Sequence, residues 1–457
     1  MNIADGCLTR RLPVTNFLER LYLSRIFLAI GLSLSCCLAG AATPTTVNIA
    51  TIDNPDMVML QRLSSEFESA NPDIVLRWIT MSESDLRQRA LIDAVTQSGQ
   101  FDLITIGAYE TPLWAKKGWL VPLSMPPSYE AEDVIQSVRD GLSFEGRQYA
   151  LPFYAESSMT YYRKDLFDKA GLSMPAQPTW DDISGFAEKL NDAATGVHGI
   201  CLRGKPGWGE NMAIISTMAN SYGGRWFDMQ WKPTVDTPAW NEAVGMYANL
   251  LRKFGPAEAV KNGFNENLKL FSQGQCAMWV DATIATGMLF AGKESQVADK
   301  VAFAPAPIGT TVKGSHWLWS WALAVPNASR HKEQAQRFAE WATSREYIAL
   351  VANKEGWASV PSGTRKSTYL EPAYQQSAPF AGFVFDAIQG ADPTDATVDE
   401  VPYSGVQFVT IPQFQSIGTL VARDVADVLT GTTDVASALR RSQTSVDAAM
   451  RRAGYYP

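Results

Sequence analysis

Between Val47 and Ile106 the chain alternates three short apolar strands with two helical stretches, and this alternation constrains the fold more than any other feature. The strands are Val47-Asn48-Ile49-Ala50, Ile74-Val75-Leu76-Arg77-Trp78 and Phe101-Asp102-Leu103-Ile104-Thr105-Ile106. They show little polar alternation, as parallel strands buried on both faces do. Met57 to Ala70 places Leu60, Leu63 and Phe67 on one helical face, and Asn71-Pro72-Asp73 ends that helix. Asp85 to Gln97 supplies the second helix, and Thr111 to Gly118 a short third one. This order predicts a doubly wound α/β sheet. The ligand crevice of such a sheet lies at the carboxyl ends of its strands.

Residues 151–190 break that pattern. Leu151-Pro152-Phe153-Tyr154 is extended and apolar, and Pro152 holds the residue before it out of helix. Glu156, Ser157 and Ser158 are polar where a buried strand would be apolar. Met159 to Tyr162 reads as another strand, and Arg163-Lys164-Asp165 begins a short helix that Gly171 stops. Thr179 is placed to cap a helix that turns Trp180 and Ile183 inward. Further on, Trp208-Gly209-Glu210-Asn211 opens a helix, and Pro238–Phe254 and Phe264–Ser272 are helical. Cys276–Val280 and Ser315–Val325 are apolar strands, and the tail from Ile411 to Ala453 is mainly helical.

The 457 residues allow two domains, and the net charge of −8 argues against a nucleic-acid partner. The N-terminus carries Arg10, Arg11, Arg20 and Arg25, then the apolar run Ile26–Leu38, then the small residues Ala39-Gly40-Ala41. This is the pattern of a secretory signal, too short for a spanning helix. A signal peptide over residues 1–42 and a soluble periplasmic product are expected. Cys37 follows a poor lipid-attachment context, and cleavage near Ala42 removes it with Cys7 and Cys36. Cys201 and Cys276 remain, and an oxidising compartment permits a bridge if their strands are adjacent.

The three histidines, His198, His316 and His331, have no metal-ligand spacing. There is no nucleophile elbow, Walker loop or dinucleotide fingerprint. An enzyme is therefore not expected, nor a metal or cofactor. Fourteen Trp and 15 Tyr suit a ligand with both apolar faces and hydroxyls. Carboxylates accept from hydroxyls through the stronger, charged kind of hydrogen bond. On strand ends and turns, Tyr109, Glu110, Tyr154, Glu156, Asp281, Thr283 and Trp357 are the candidates for such a role. Asp281 is the sharpest, as a carboxylate following the apolar strand Cys276–Val280; a helix cap is its alternative reading.

The stretch YYRKDLFDKAGL followed by PTWDD resembles the first inter-lobe crossing of extracytoplasmic solute-binding proteins of the maltodextrin-binding type. AKKGWLVPL and the FSQGQCAMW stretch match that family as well. QFDLITIG, MWVDAT, HWLWSWAL and IPQFQ resemble its polyol-binding branch. The resemblance implies two lobes, each a doubly wound sheet flanked by helices, with the ligand in the cleft between them. The first lobe is expected to comprise residues 43–154 and 305–357, and the second residues 155–304 and 358–457. The implied function is capture of a sugar alcohol of the mannitol or sorbitol class by lobe closure. A monomeric protein would deliver it to the membrane permease subunits of an ABC importer. A mono- or disaccharide binder and a sensory module are the alternatives. Carry-over places Tyr109, Glu110, Glu156, Asp281, Trp357 and Phe414 near the ligand, with Glu83, Trp208, His316, Trp319 and Gln413 as further candidates. Phe414 stands where related chains often carry Trp.

Overall fold

A computed structural model describes residues 43–290 and 295–457. The signal-peptide expectation, with Cys7, Cys36 and Cys37, lies outside them. Ten strands are described: β1 (Thr45–Ile52), β2 (Ile74–Met81), β3 (Leu103–Gly107), β4 (Ser143–Phe144), β5 (Arg147–Gln148), β6 (Leu151–Glu156), β7 (Ser158–Arg163), β8 (Met278–Ala282), β9 (Val301–Pro305) and β10 (Trp319–Ala324). The larger sheet has the order β2-β1-β3-β10-β6, and β4 and β5 form a separate pair. In it β1 runs parallel to β2 and β3, while β10 lies antiparallel between β3 and β6.

Local chemistry sets the helices that cover this sheet. Asn54 caps Pro55–Ala70, its side chain accepting from Met57 N–H, with Pro55 at the first turn where no N–H is needed. Ser82 caps Glu83–Thr96 in the same manner. Leu60, Leu63 and Phe67 are buried, as their spacing requires.

The smaller sheet, β8-β7-β9, is antiparallel throughout. Its named strands thus differ in direction from the doubly wound sheet expected of this lobe; among the described residues its parallel pairing consists of the isolated bridges Thr179–Ile308, His198–Cys276 and Cys201–Trp279. Phe264–Ser272 packs on β8, and Trp180–Leu190, Asn211–Ser221, Pro238–Phe254, Phe414–Leu429 and Val435–Arg452 pack on one another beside it. Thr179 and Asp182 form a reciprocal capping box at the start of Trp180–Leu190. Gly171, with φ of 67°, ends Lys164–Ala170 as a left-handed cap that other residues adopt at a cost. Cys201 and Cys276 are disulfide-bonded, with Cα atoms 6.0 Å apart.

The chain leaves the larger sheet at Glu156 and enters the smaller at Ser158. Two expected boundaries need correction. Residues after Pro305 stay with the second lobe: Ile308 bonds Pro178, and Thr310 N–H donates to Ser221 O at 2.8 Å. The chain rejoins the first lobe only at β10. Residues 360–370 then pack on the first lobe, not the second. Arg365 donates to Thr343 O and Tyr129 O, Ser367 N–H to Asp133, and Ala155 N–H to Ser362 O. The physical reason is Arg365, whose buried guanidinium finds its acceptors on the first lobe. Short helices Lys366–Leu370, Pro372–Ser377 and Ala381–Gly390 follow before the chain returns to the second lobe.

Candidate functional site

A cavity of about 260 Å³ lies between the two lobes, at the carboxyl ends of β1 and β2 and beside β6 and β10. Its first wall follows from strand geometry. Side chains two apart on a strand share a face. Tyr154 and Glu156 on β6 thus project together, and so do Trp319 and Trp321 on β10, with Trp317 just before that strand also lining the cavity. Glu156 pairs in register with Trp319, and Tyr154 with Trp321. Gly107 makes room behind them, since a side chain there would run into the Trp319 ring and Glu110.

Tyr154 Oη accepts from Asn54 Nδ2 at 2.9 Å, leaving the phenol proton free for the cavity. The Glu156 carboxylate has no hydrogen-bond partner among the described residues, and it is only 6% exposed. Burial pushes its carboxyl up to about 8, against the pull of the Arg203 guanidinium and with a further push from Asp281. Glu83 and Arg87 complete this wall from helix Glu83–Thr96. Arg87 donates to Glu83 at 2.8 Å and also binds Glu110. Its guanidinium lies 4.1 Å from the centre of the Trp208 ring and 4.8 Å from that of Trp321.

The second wall carries Arg203, Lys205, Trp208, Glu210 and Phe264. Arg203 Nε donates to Asp281 Oδ2 at 3.0 Å, and Nη2 to Oδ1 at 2.6 Å. Burial works against the Arg203 charge, but Asp281 outweighs it and holds the guanidinium firmly protonated. Glu210 meets Lys205 at 3.3 Å, and its pKa is pushed up to about 7 by burial and by Glu83 across the cleft. Asn265 Nδ2 donates to Asp53 O at 2.9 Å, a direct bond between the lobes.

Of the residues singled out in the sequence, Glu83, Tyr154, Glu156, Trp208 and Trp319 line this cavity. Tyr109 and Phe414 form a layer behind Trp208, with Tyr109 Oη donating to Ile411 O at 2.7 Å. Glu110 sits behind Arg87. Asp281 requires a correction. It lies within β8, fully buried, and its oxygens also accept from Trp279 Nε1 and Ala282 N–H. Neither the direct contact with a ligand nor the helix cap describes it; it is the anion behind Arg203. Thr283 is buried and accepts from Ser157 N–H at the crossing. His316 faces Ser158 O at 3.3 Å, with its pKa lowered by burial. Trp357 packs toward Tyr374, and Gln413 accepts from Tyr455 Oη, both away from the cavity. These placements follow from partners that lie far off in the chain.

Arg87, Arg203, Lys205, Glu210, Trp317 and Trp321 are among the cavity-lining residues that sequence reasoning missed. A signal for Arg203 existed. It follows the apolar segment Gly199-Ile200-Cys201-Leu202 as a lone charge, the same pattern that drew attention to Asp281.

Two lobes joined by three crossings, with a polar and aromatic cavity between them, define a protein that takes up a small ligand from solvent. The chain belongs to the family of bacterial extracellular solute-binding proteins, whose profile matches residues 55–349. It is a binding protein and not an enzyme. Over 432 residues it is 52% identical to the mannitol-binding protein of Pseudomonas aeruginosa, covering 93% of this chain and 99% of that one. It superimposes with a TM-score of 0.89 on an ABC transporter solute binding protein from Agrobacterium vitis S4 with bound D-mannitol. That protein is 51% identical, and the match covers 90% of this chain and 100% of that one. Maltose-bound MalE3 of T. maritima shares the fold at a TM-score of 0.74 and 20% identity, covering 88% and 98% of the two chains.

Proposed function

We propose that the protein captures a six-carbon sugar alcohol of the mannitol or sorbitol class between its lobes. It would deliver that ligand to the permease of an ABC importer, working as a soluble monomer in the periplasm. The observation that carries this reading is the wall of Tyr154, Glu156, Trp319 and Trp321 facing Arg203 across a cavity of about 260 Å³. Drug-sized ligands fill roughly 300–1,000 Å³, so the enclosure suits a smaller, hydroxyl-rich molecule. Indole faces cover C–H surface, while carboxyl and guanidinium groups serve hydroxyls. The relative named for mannitol and the structure with bound D-mannitol support the same ligand class.

Closure follows from ligand contacts to both walls, which favour the closed population. The test is a thermal-shift series with D-mannitol, D-sorbitol, ribitol and maltose. A hexitol at a hundred times its dissociation constant is expected to stabilise the protein by about 2.7 kcal/mol. A larger shift with maltose would move the assignment to disaccharides.

A further inference from the structure

We propose that Arg203 reads two neighbouring hydroxyl oxygens of the bound polyol, with Asp281 as its positioning residue. This deepens the ligand assignment above and rests on it. A guanidinium has five N–H groups. In Arg203 the Nε–H and one Nη2–H go to Asp281, and one Nη1–H goes to Gly209 O at 3.0 Å. One N–H on Nη1 and one on Nη2 therefore have no acceptor among the described residues. Arg203 is only 7% exposed, and it lines the cavity. Buried donors left unpaired are costly, so whatever displaces water from the cavity must supply two acceptors there. Two donors in one rigid plane match two oxygens on adjacent carbons, as a vicinal diol presents them.

Asp281 sets that plane without reaching the cavity. Its carboxylate takes the side edge of the guanidinium and is itself held by Trp279 Nε1 at 3.1 Å and Ala282 N–H at 2.7 Å. The rings of Phe264 and Trp317 flank the cation at 5.4 and 5.8 Å. The Cys201–Cys276 bridge ties the segment bearing Arg203 to the one that leads into β8 and Asp281. Arg87 also lines the cavity, but it is shared between the two carboxylates Glu83 and Glu110 and is covered by Trp208.

The experiment is calorimetric titration of wild type, Arg203→Lys, Asp281→Asn and Arg87→Lys with D-mannitol and with hexitols lacking one hydroxyl. In wild type, deleting a hydroxyl that Arg203 reads is expected to weaken binding about ten- to a hundredfold. In Arg203→Lys that penalty should fall below about threefold, because a point-like ammonium cannot serve both oxygens. Asp281→Asn should give an intermediate penalty although it never touches the ligand. A purely structural Asp281 would weaken mannitol and its deoxy analogues by the same factor, and an unchanged ratio overturns the proposal. If circular dichroism shows Arg203→Lys unfolded, the ratio in Asp281→Asn decides alone. A penalty that survives in Arg203→Lys and disappears in Arg87→Lys assigns the role to Arg87 and also overturns it. Wild type that binds maltose and no alditol defeats the functional reading, whereas wild type that binds mannitol with the ratio unchanged in every variant defeats only the assignment of Arg203.

Discussion

On the first wall Glu156 meets the cavity with no partner for its carboxylate among the described residues, whereas on the second Arg203 meets it with Asp281 already bound behind. Glu156 sits at the end of β6, between aromatic neighbours, and burial holds it largely protonated near neutral pH. Arg203 keeps its charge because a carboxylate of its own lobe neutralises it. Glu156 can thus change its charge when a ligand arrives, and Arg203 cannot. The lesson is that a cleft can set a fixed charge opposite a carboxyl that is free to respond.

Three changes test this contrast. The largest expected effect is that of Arg203→Met, which leaves Asp281 buried and unpaired. It should cost about 3–5 kcal/mol in the ligand-free protein. Urea denaturation reads the loss, and an unaltered midpoint would show that the pair is not a fixed element of the second wall. Next is the double change Cys201→Ala with Cys276→Ala, which removes the staple behind that wall. A loss of about 2–4 kcal/mol is expected, read by the same denaturation. Two reactive thiols in the denatured, unreduced wild-type protein would contradict the bridge itself.

The third effect concerns the first wall and is smallest at low pH, because it depends on the charge of Glu156. The Glu156 carboxyl has a folded pKa raised from 4.5 to about 8. Between those values the folded state binds more protons than the unfolded chain, so Glu156 lowers stability as pH rises through that window. Glu156→Gln should therefore be more stable than wild type by up to about 4 kcal/mol at pH 8, with the difference vanishing below about pH 4.5. Equal pH profiles for the two proteins would show that Glu156 is as fixed in charge as Arg203.

Much of the fold was legible in the sequence where local chemistry decides. Pro238–Phe254 is legible to the residue, because Pro is tolerated at the start of a helix and Gly255 follows its end. Thr179 was legible as a cap, and the first three strands by their apolar runs. The second and third crossings were misplaced, because they depend on remote acceptors. Nothing near Arg365 indicates that Tyr129 and Thr343 will receive its hydrogen bonds. The site shows the same limit. Tyr154 and Glu156 could be found from their place at a strand end, and Trp319 from the family resemblance alone. Asp281 stood out as a charge among apolar residues, but the residue that masks it lies at position 203. Sequence shows that a charge is buried there, and not which member of an ion pair is presented to the cavity.

The place of β10 in the larger sheet has a kinetic meaning. Strand β10 pairs with β3 on one side and β6 on the other. As the chain is synthesised, both partners are complete by Glu156, and neither receives its neighbour until Trp319 to Ala324 has been made. Until then each presents an unpaired edge, open to wrong partners. Pairings so distant in sequence form slowly, because loop closure precedes the contacts that reward it. The sheet is therefore locked from its middle by a late strand, and a growing chain stays unlocked through most of its length.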